Sequence, residues 1–344
     1  MFVVAYLFIG CNTKNNANTA DNEPVDQYAS TIDIKFDEAL PITKSLEVLT
    51  TFKFNEDTEH IIGSIQQMEV RGDTIFCIDP ISHPGLYAYL KDGSQLFAYC
   101  NRGQADEDLM SPMNLSISDN KITVFDFAGK KLMTFSKQGK FLQSINLPMD
   151  AVAAIPDSKQ HGIWIDYSNQ DYNNVKLGYT NVYTDSIRCV LSVPEYLKGL
   201  TEVPMANMVK LSNGEIRYMP SLEPRIFNLH EGKANLIYDL KFNGKWPSNE
   251  EISEKFSGND WAIKYKDFPI KGKGFHESDQ WLVMGFMFEK KLYIVTYDKL
   301  KSATHVFIDS DDNYYSPKYL DGSNLYLTRQ DDSIDILNLE NTLN

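Results

Sequence analysis

Gly72-Asp73-Thr74-Ile75-Phe76-Cys77-Ile78-Asp79 can be laid over Asp119-Asn120-Lys121-Ile122-Thr123-Val124-Phe125-Asp126. Each is a turn followed by a strand-like run that ends on an aspartate, and the two aspartates lie 47 residues apart. The match continues downstream. The stretch from Leu86 to Phe97, LYAYLKDGSQLF, overlays that from Leu132 to Gln143, LMTFSKQGKFLQ, at an offset of 46 residues. Each unit thus reads as an inner strand, a turn, a second strand ending in Asp, a loop and a hairpin closed by Lys-x-Gly. A repeat of roughly 40–50 residues holding four strands is the signature of a β-propeller blade.

Weaker units follow. Unit three spans Ala151 to Leu191, with strands near His161–Tyr167, Lys176–Tyr183 and Ser186–Leu191. Unit four spans about Asn207 to Phe242, unit five begins at Trp281 and runs to about Ile308, and unit six holds Pro317–Leu320, Asn324–Thr328 and Ser333–Leu339 but lacks a fourth strand. A propeller must close, because an open ring leaves unpaired strand edges. The alternating run Glu47–Asn55 has no unit of its own and supplies the missing strand. The expected fold is all-β: a six-bladed β-propeller with four-stranded blades, closed by an N-terminal strand in the last blade.

Composition agrees with a folded body of this size. Of the 344 residues, 42% are hydrophobic and 12% aromatic, more than a disordered chain carries. The formal net charge is −14, from 33 Lys and Arg against 47 Asp and Glu, which argues against nucleic acid as a partner. The first ten residues, MFVVAYLFIG, are uncharged and nearly all apolar, and Cys11 follows them directly. A short apolar segment ending at small residues is the core of a secretory signal. The expected organisation is a lipoprotein signal at 1–10, a flexible tether and lead-in at 11–44, and the propeller at 45–344. Cys77, Cys100 and Cys189 form no C-x-x-C, so neither a zinc site nor a disulfide framework is expected.

Four features together resemble a known family: the lipobox-like Phe8-Ile9-Gly10-Cys11, the Lys-x-Gly hairpins, the loop Asn101-Arg102-Gly103-Gln104 and the segment Glu277-Ser278-Asp279-Gln280-Trp281. They look like the six-bladed, TolB-like or NHL-like β-propeller lipoproteins of Bacteroidetes. The resemblance implies lipidation at Cys11, which tethers the chain to a membrane, and a place in the cell envelope. Acidic residues do not directly follow Cys11; Asn12-Thr13-Lys14 does. In that lineage this favours a periplasm-facing protein over a surface-exposed one.

No G-x-S-x-G, H-E-x-x-H or phosphate-binding loop is present. Topology then selects candidates. In a propeller the loops between the second and third strands, and those between blades, share one face around the channel mouth, where ligands commonly bind. That reasoning brings His83, Arg102, Tyr172, Glu223, Arg225, His276 and Tyr314 together, with Arg102 and Arg225 suited to grip a carboxylate or phosphate. Residues 243–280 form a long insertion between units four and five, and insertions of this length usually carry function or fold on their own. Pro247-Ser248-Asn249-Glu250-Glu251 predicts a short helix through Phe256. Beyond it, Trp261, Lys264, Tyr265, Lys266, Phe268, Lys271 and Lys273 make a basic, aromatic patch suited to an anionic partner surface.

The leading expectation is a lipid-anchored cell-envelope binding protein that takes a protein, peptide or glycan ligand at the channel mouth, with no cofactor. The alternative is a metal-dependent hydrolase or lactonase. That activity needs several acidic or His ligands at the mouth, and the aspartates at the ends of the second strands are better explained as turn-starters.

Overall fold

The alternation in the repeated units folds into antiparallel ladders arranged around a ring. The computed structural model describes residues 29–55, 60–118, 120–157, 162–168, 174–181, 186–200, 207–256 and 269–341. An N-terminal lead-in carries β1 (Ser30–Asp33), β2 (Leu40–Pro41), the one-turn α1 (Ile42–Ser45) and β3 (Glu47–Phe52). Blade one is β4 (Gln67–Arg71), β5 (Thr74–Asp79), β6 (Gly85–Leu90) and β7 (Gln95–Tyr99). Blade two is β8 (Pro112–Ser118), β9 (Lys121–Asp126), β10 (Lys131–Ser136) and β11 (Phe141–Asn146). Blade three is β12 (Ala153–Asp157), β13 (Gly162–Asp166), β14 (Val175–Asn181) and β15 (Ile187–Ser192). Blade four is β16 (Met208–Lys210), β17 (Ile216–Tyr218), β18 (Arg225–His230) and β19 (Lys233–Lys241). The helix α2 (Asn249–Phe256) precedes blade five, which is β20 (Ile270–Glu277), β21 (Trp281–Phe288), β22 (Lys291–Asp298) and β23 (Ala303–Ile308). Blade six is β24 (Tyr314–Asp321), β25 (Asn324–Arg329) and β26 (Ile334–Asn338), completed by β3.

The fold is the six-bladed, four-stranded propeller that the repeats predict. Closure also follows the sequence: β3 pairs antiparallel with β26, Glu47 opposite Asn338 and Phe52 opposite Ile334. The Lys-x-Gly hairpins are left-handed turns, with Gly93 at φ +89° and Gly139 at +77°. Gly93 serves closure too. Its carbonyl accepts from the Asn55 amide at 2.8 Å, and a Cβ there would stand 2.3 Å from the Lys53 carbonyl oxygen.

The two ends of the ring differ. Call the end bearing the turns between first and second strands the hairpin end, and the other the loop end. At the loop end Asp79 and Asp126 are fully buried. Asp79 accepts from the amides of Gly63 (2.8 Å) and Ser64 (3.0 Å), which precede blade one, and of Ile81 (2.8 Å) and Ser82 (3.0 Å) in its own turn. Asp126 accepts from Met110 (3.1 Å) and Ser111 (2.7 Å), which precede blade two. These repeated aspartates clamp loops, as the turn-starter reading has it.

Two boundaries differ from the sequence reading. The lead-in is built into the propeller from Ser30 onward and is not a flexible tether there. β1 adds in parallel to β19, and β2 to β23. Ile32, Ile34 and Phe36 are buried, and the Phe36 ring lies 4.8 Å from Tyr293 and 5.1 Å from Phe288 between centroids. Burying side chains of this kind contributes about 1.5–3 kcal/mol each. Unit five begins at Ile270, not Trp281, so the insertion is shorter than 243–280. Its last residues, Ile270–Glu277, are the inner strand of blade five. In β20 the run Gly272-Lys273-Gly274 falls where the register with β21 shifts, between Lys271 opposite Phe286 and Phe275 opposite Met284. Glycines lower strand propensity and mark bulges, which is why this strand reads as loop.

The predicted helix is present. Its start is a capping box: Ser248 N donates to Glu251 Oε2 at 2.9 Å, and Glu251 N to Ser248 Oγ at 3.2 Å. Ile252 is buried with Val193, Leu197, Leu200 and Leu222. The helix therefore packs on the loop end beside blades three and four.

Deleting residues 1–56 should lower the melting temperature by at least about 10 °C relative to deletion of residues 1–28, because it opens the ring and uncovers blades four and five. Equal melting temperatures for the two truncated proteins would show that the ring closes without β3.

Candidate functional site

A propeller leaves one edge of each innermost strand unpaired, facing the axis. The backbone groups on that edge need partners. Here side chains from neighbouring inner strands reach across. Gln67 on β4 donates from Nε2 to the Leu115 carbonyl and accepts from the Leu115 amide, both at 2.8 Å, so one side chain stands in for a strand. Lys318 on β24 donates to the Ile65 carbonyl. Lys210 on β16 donates to Ser118 Oγ at 2.5 Å and reaches the Pro156 carbonyl at 3.4 Å. His276 on β20 bonds to Pro317, which has no N–H and so offers its carbonyl. The axis is thus lined with buried polar side chains.

Some of these atoms have no protein partner. Asn114 Nδ2 and Oδ1, His276 Nε2 and Ser316 Oγ are buried without one, and all three residues lie on inner strands. Native proteins leave few such groups, and each calls for an explanation.

At the hairpin end the axis opens into a cavity of about 480 Å³. Its wall is made by the ends of the inner strands of blades one, four, five and six, with Glu69, Arg71, Lys210, His276, Glu277 and Tyr319 among the residues on it. Arg71 Nη2 lies 3.0 Å from Glu69 Oε2, and its Nη1 donates to the Val70 carbonyl at 2.9 Å and to the Tyr319 hydroxyl at 3.2 Å. Glu277 sits between Arg217 Nε at 2.8 Å and Lys299 Nζ at 3.0 Å, and Arg217 also binds Glu215 at 2.8 Å and Asn228 at 2.6 Å. Burial pushes the Glu69 carboxyl up to about 7 although Arg71 opposes it. Burial likewise drives the His276 ring down to about 4, so it is neutral at ordinary pH.

The residues expected at the loop end do not form one site. His83 is exposed, its amide bound to Asp79 at 3.3 Å and its carbonyl accepting from the Tyr87 hydroxyl at 2.7 Å. Arg102 is exposed and carries no ion pair among the described residues. It stands on the loop between blades one and two, whereas Arg225 starts β18 in blade four, opposite Asp239. Glu223 forms a buried ion pair with Lys176 at 2.5 Å, joining blade four to blade three. Tyr314 is buried, its hydroxyl donating to Asp335 at 2.8 Å inside blade six. His276 is at the opposite end, because Ile270–Glu277 is a strand that descends from the loop end to the hairpin end. Tyr172 and Cys11 lie outside the described residues, as do Trp261, Lys264, Tyr265, Lys266 and Phe268. Lys271 and Lys273 belong to β20 and not to a loop patch. The sequence reading missed Glu69, Arg71, Lys210 and Tyr319. The one signal available was the pair of glycines that turn Lys271–Phe275 into a bulged strand. Among the described residues no group of three or more His, Cys, Asp or Glu side chains is placed to hold a metal ion. No helix there is long and apolar enough to cross a membrane.

The family of DUF5128 proteins, described as a 6-bladed beta-propeller, matches residues 14–321. The chain belongs to this family. Among solved structures, the family member resembles a Bacteroides fragilis protein described as exported, with 16% identity and a TM-score of 0.72 over 87% of this chain and 88% of that one. It also resembles a member of the duf4221 family from Bacteroides vulgatus, with 10% identity and a TM-score of 0.59 over 85% and 97% of the two chains. Virginiamycin B lyase from Staphylococcus aureus matches at 13% identity and a TM-score of 0.50, over 86% and 99%. Likeness at these identities establishes the fold alone. No curated protein matches.

Glu69 and His276 pull stability in opposite directions with pH. Glu69 binds its proton more tightly folded than unfolded, so its contribution falls as pH rises from about 4.5 to 7. His276 binds its proton less tightly folded, so its contribution falls as pH drops from about 6.5 to 4. Between pH 5 and 8 the two nearly offset each other. Glu69→Gln should leave the His276 effect alone, and stability should then fall by about 2 kcal/mol from pH 8 to 5. Urea denaturation at both pH values measures this, and a variant whose pH dependence matches wild type would refute it.

Proposed function

We propose that this chain is an exported, lipid-anchored protein of the cell envelope that recognises a small polar ligand in the hairpin-end cavity. The observation that carries the reading is the cavity itself. It opens on the propeller axis, and one of its wall residues, His276, is buried with an unpartnered ring nitrogen. Ligand pockets in folded proteins are concave, with a few convergent polar groups that fix orientation. The hairpin end is preferred over the loop end expected from sequence. At the loop end Glu223 and Tyr314 are engaged in internal pairs, and α2 covers the loops beside blades three and four. Export and anchoring are supported by the uncharged apolar start followed by Cys11, and by likeness to a protein described as exported. Two acyl chains would hold the protein stably to a bilayer, facing the periplasm.

Cys11→Ser should move the protein from the membrane to the soluble fraction, and continued membrane association would rule out the anchor. For the cavity, Ser212→Trp places an indole on an exposed turn at its wall, where Gly214 N bonds the Leu211 carbonyl at 2.9 Å and the backbone tolerates substitution. Wild-type protein incubated with envelope extract, desalted and denatured should release a small molecule detectable by mass spectrometry. The Ser212→Trp protein should release little. Equal release from both would place the ligand elsewhere.

A further inference from the structure

Arg71, at the end of β4, stands on the wall of the hairpin-end cavity where blade one meets blade six. A guanidinium carries five N–H donors. Three are spent: Nη1 donates to the Val70 carbonyl at 2.9 Å and the Tyr319 hydroxyl at 3.2 Å, and Nη2 meets Glu69 Oε2 at 3.0 Å. The Nε–H and the second Nη2–H find no acceptor among the described residues. Yet the side chain keeps 28% of its surface accessible, against 7% for Glu69. The open donors are therefore reachable from the cavity.

Across the seam, Tyr319 and Asp321 fall on one face of β24, since successive side chains of a strand alternate. The Tyr319 hydroxyl ties that face to blade one by donating to the Val70 carbonyl at 3.1 Å, and Tyr319 lies in the fields of Arg71 and Asp321 alike. Asp321 is exposed and forms no ion pair with Arg71 or with any other described residue. Open donors and an open acceptor thus face one cavity without touching.

A hydroxyl satisfies both at once, because its oxygen accepts from an N–H while its proton goes to another oxygen. A carboxylate or phosphate would suit Arg71 but would have to pass the exposed Asp279 and Asp321. An ammonium would suit Asp321 but has nothing to accept the guanidinium N–H groups. The buried carboxylates offer it no free charge either, since Glu69 is held by Arg71, and Glu277 by Arg217 and Lys299. Resting on the reading that this cavity is the binding site, we propose that its ligand is an uncharged polyhydroxylated molecule, a sugar or polyol. One hydroxyl bridges Arg71 and Asp321, and an adjacent hydroxyl takes the second open donor of the guanidinium fork.

The test is saturation-transfer difference NMR of the purified full chain with the small molecules of envelope extract, split by ion exchange into neutral, acidic and basic fractions. Signals should come from the neutral fraction. Periodate treatment of that fraction, which cleaves vicinal diols, should abolish them. Asp321→Ala should lower them about three- to ten-fold, the loss of one hydrogen bond. Asp321→Asn keeps an acceptor oxygen and should retain most of the signal. The position is exposed, so both variants keep the fold. Glu69→Gln with Arg71→Met should remove the signal without leaving a buried charge unpaired, with thermal unfolding run alongside. Signals that come from the acidic or basic fraction, or that resist periodate, overturn the polyol assignment; if Ser212→Trp removes them, the cavity stands. Equal loss in Asp321→Asn and Asp321→Ala would show that charge is what is read, and overturns the assignment as well. Signals that survive Ser212→Trp unchanged, or no signal from any fraction, overturn the assignment and the cavity together.

Discussion

Six innermost strands meet around one axis, and each presents a free edge there. No further strand can fit between them, so the edge amides and carbonyls must be satisfied by side chains or by solvent. This constraint shapes the molecule more than any single hydrophobic contact. It forces polar residues, Gln67, Lys210, His276 and Lys318, into positions that burial would otherwise assign to apolar ones. Gln67 solves the problem completely, matching an amide and a carbonyl of Leu115 with its own two groups. His276 solves it by half: one nitrogen serves Pro317 and the other is left over. The buried polar lining of the axis is thus a by-product of closing a sheet ring. The fold supplies buried polar atoms along its axis, and the particular sequence decides which of them stay unpartnered.

The same need to finish edges governs the outside. The lead-in runs along the rim and adds β1 to blade four, β2 to blade five and β3 to blade six. One segment therefore ties together half of the ring before the chain enters blade one. Phe36 lies between the first two of these strands and packs against Phe242, from just after blade four, and Phe286, Phe288 and Tyr293 from blade five. The seam between blades four and five is consequently sealed by residues more than two hundred positions away in sequence. Such long-range closure makes the ring cooperative, since no blade pair at the seam is complete without the N-terminal segment.

What was legible in the sequence was what repeats or follows local rules. Blades one and two declare themselves by an aspartate, a Lys-x-Gly turn and a fixed offset. Ser248 and Glu251 declare the start of α2 by their spacing. The closing strand could be deduced from a missing partner. What was not legible depended on register. The strand Ile270–Glu277 contains Gly272 and Gly274, so propensity argues for loop, and only pairing with β21 overrides it. That single misreading moved His276 from one end of the propeller to the other. β1 and β2 are too short to show periodicity, and their partners, β19 and β23, are distant. The cavity residues Glu69, Arg71 and Lys210 look like ordinary polar positions of strands, because nothing local says that inner strands from four different blades end at one point.

The two ends of the axis have been treated differently by this chain, and the difference has a physical direction. At the loop end, several carboxylates serve structure. Asp79 and Asp126 accept backbone amides, Asp335 accepts from Thr51, Tyr314 and Arg329, and Glu223 is matched by Lys176. At the hairpin end, Asp279 and Asp321 have no such employment, and they sit where the cavity meets solvent. Exposed carboxylates cost little to keep ionised, while each one adds to the field at the opening.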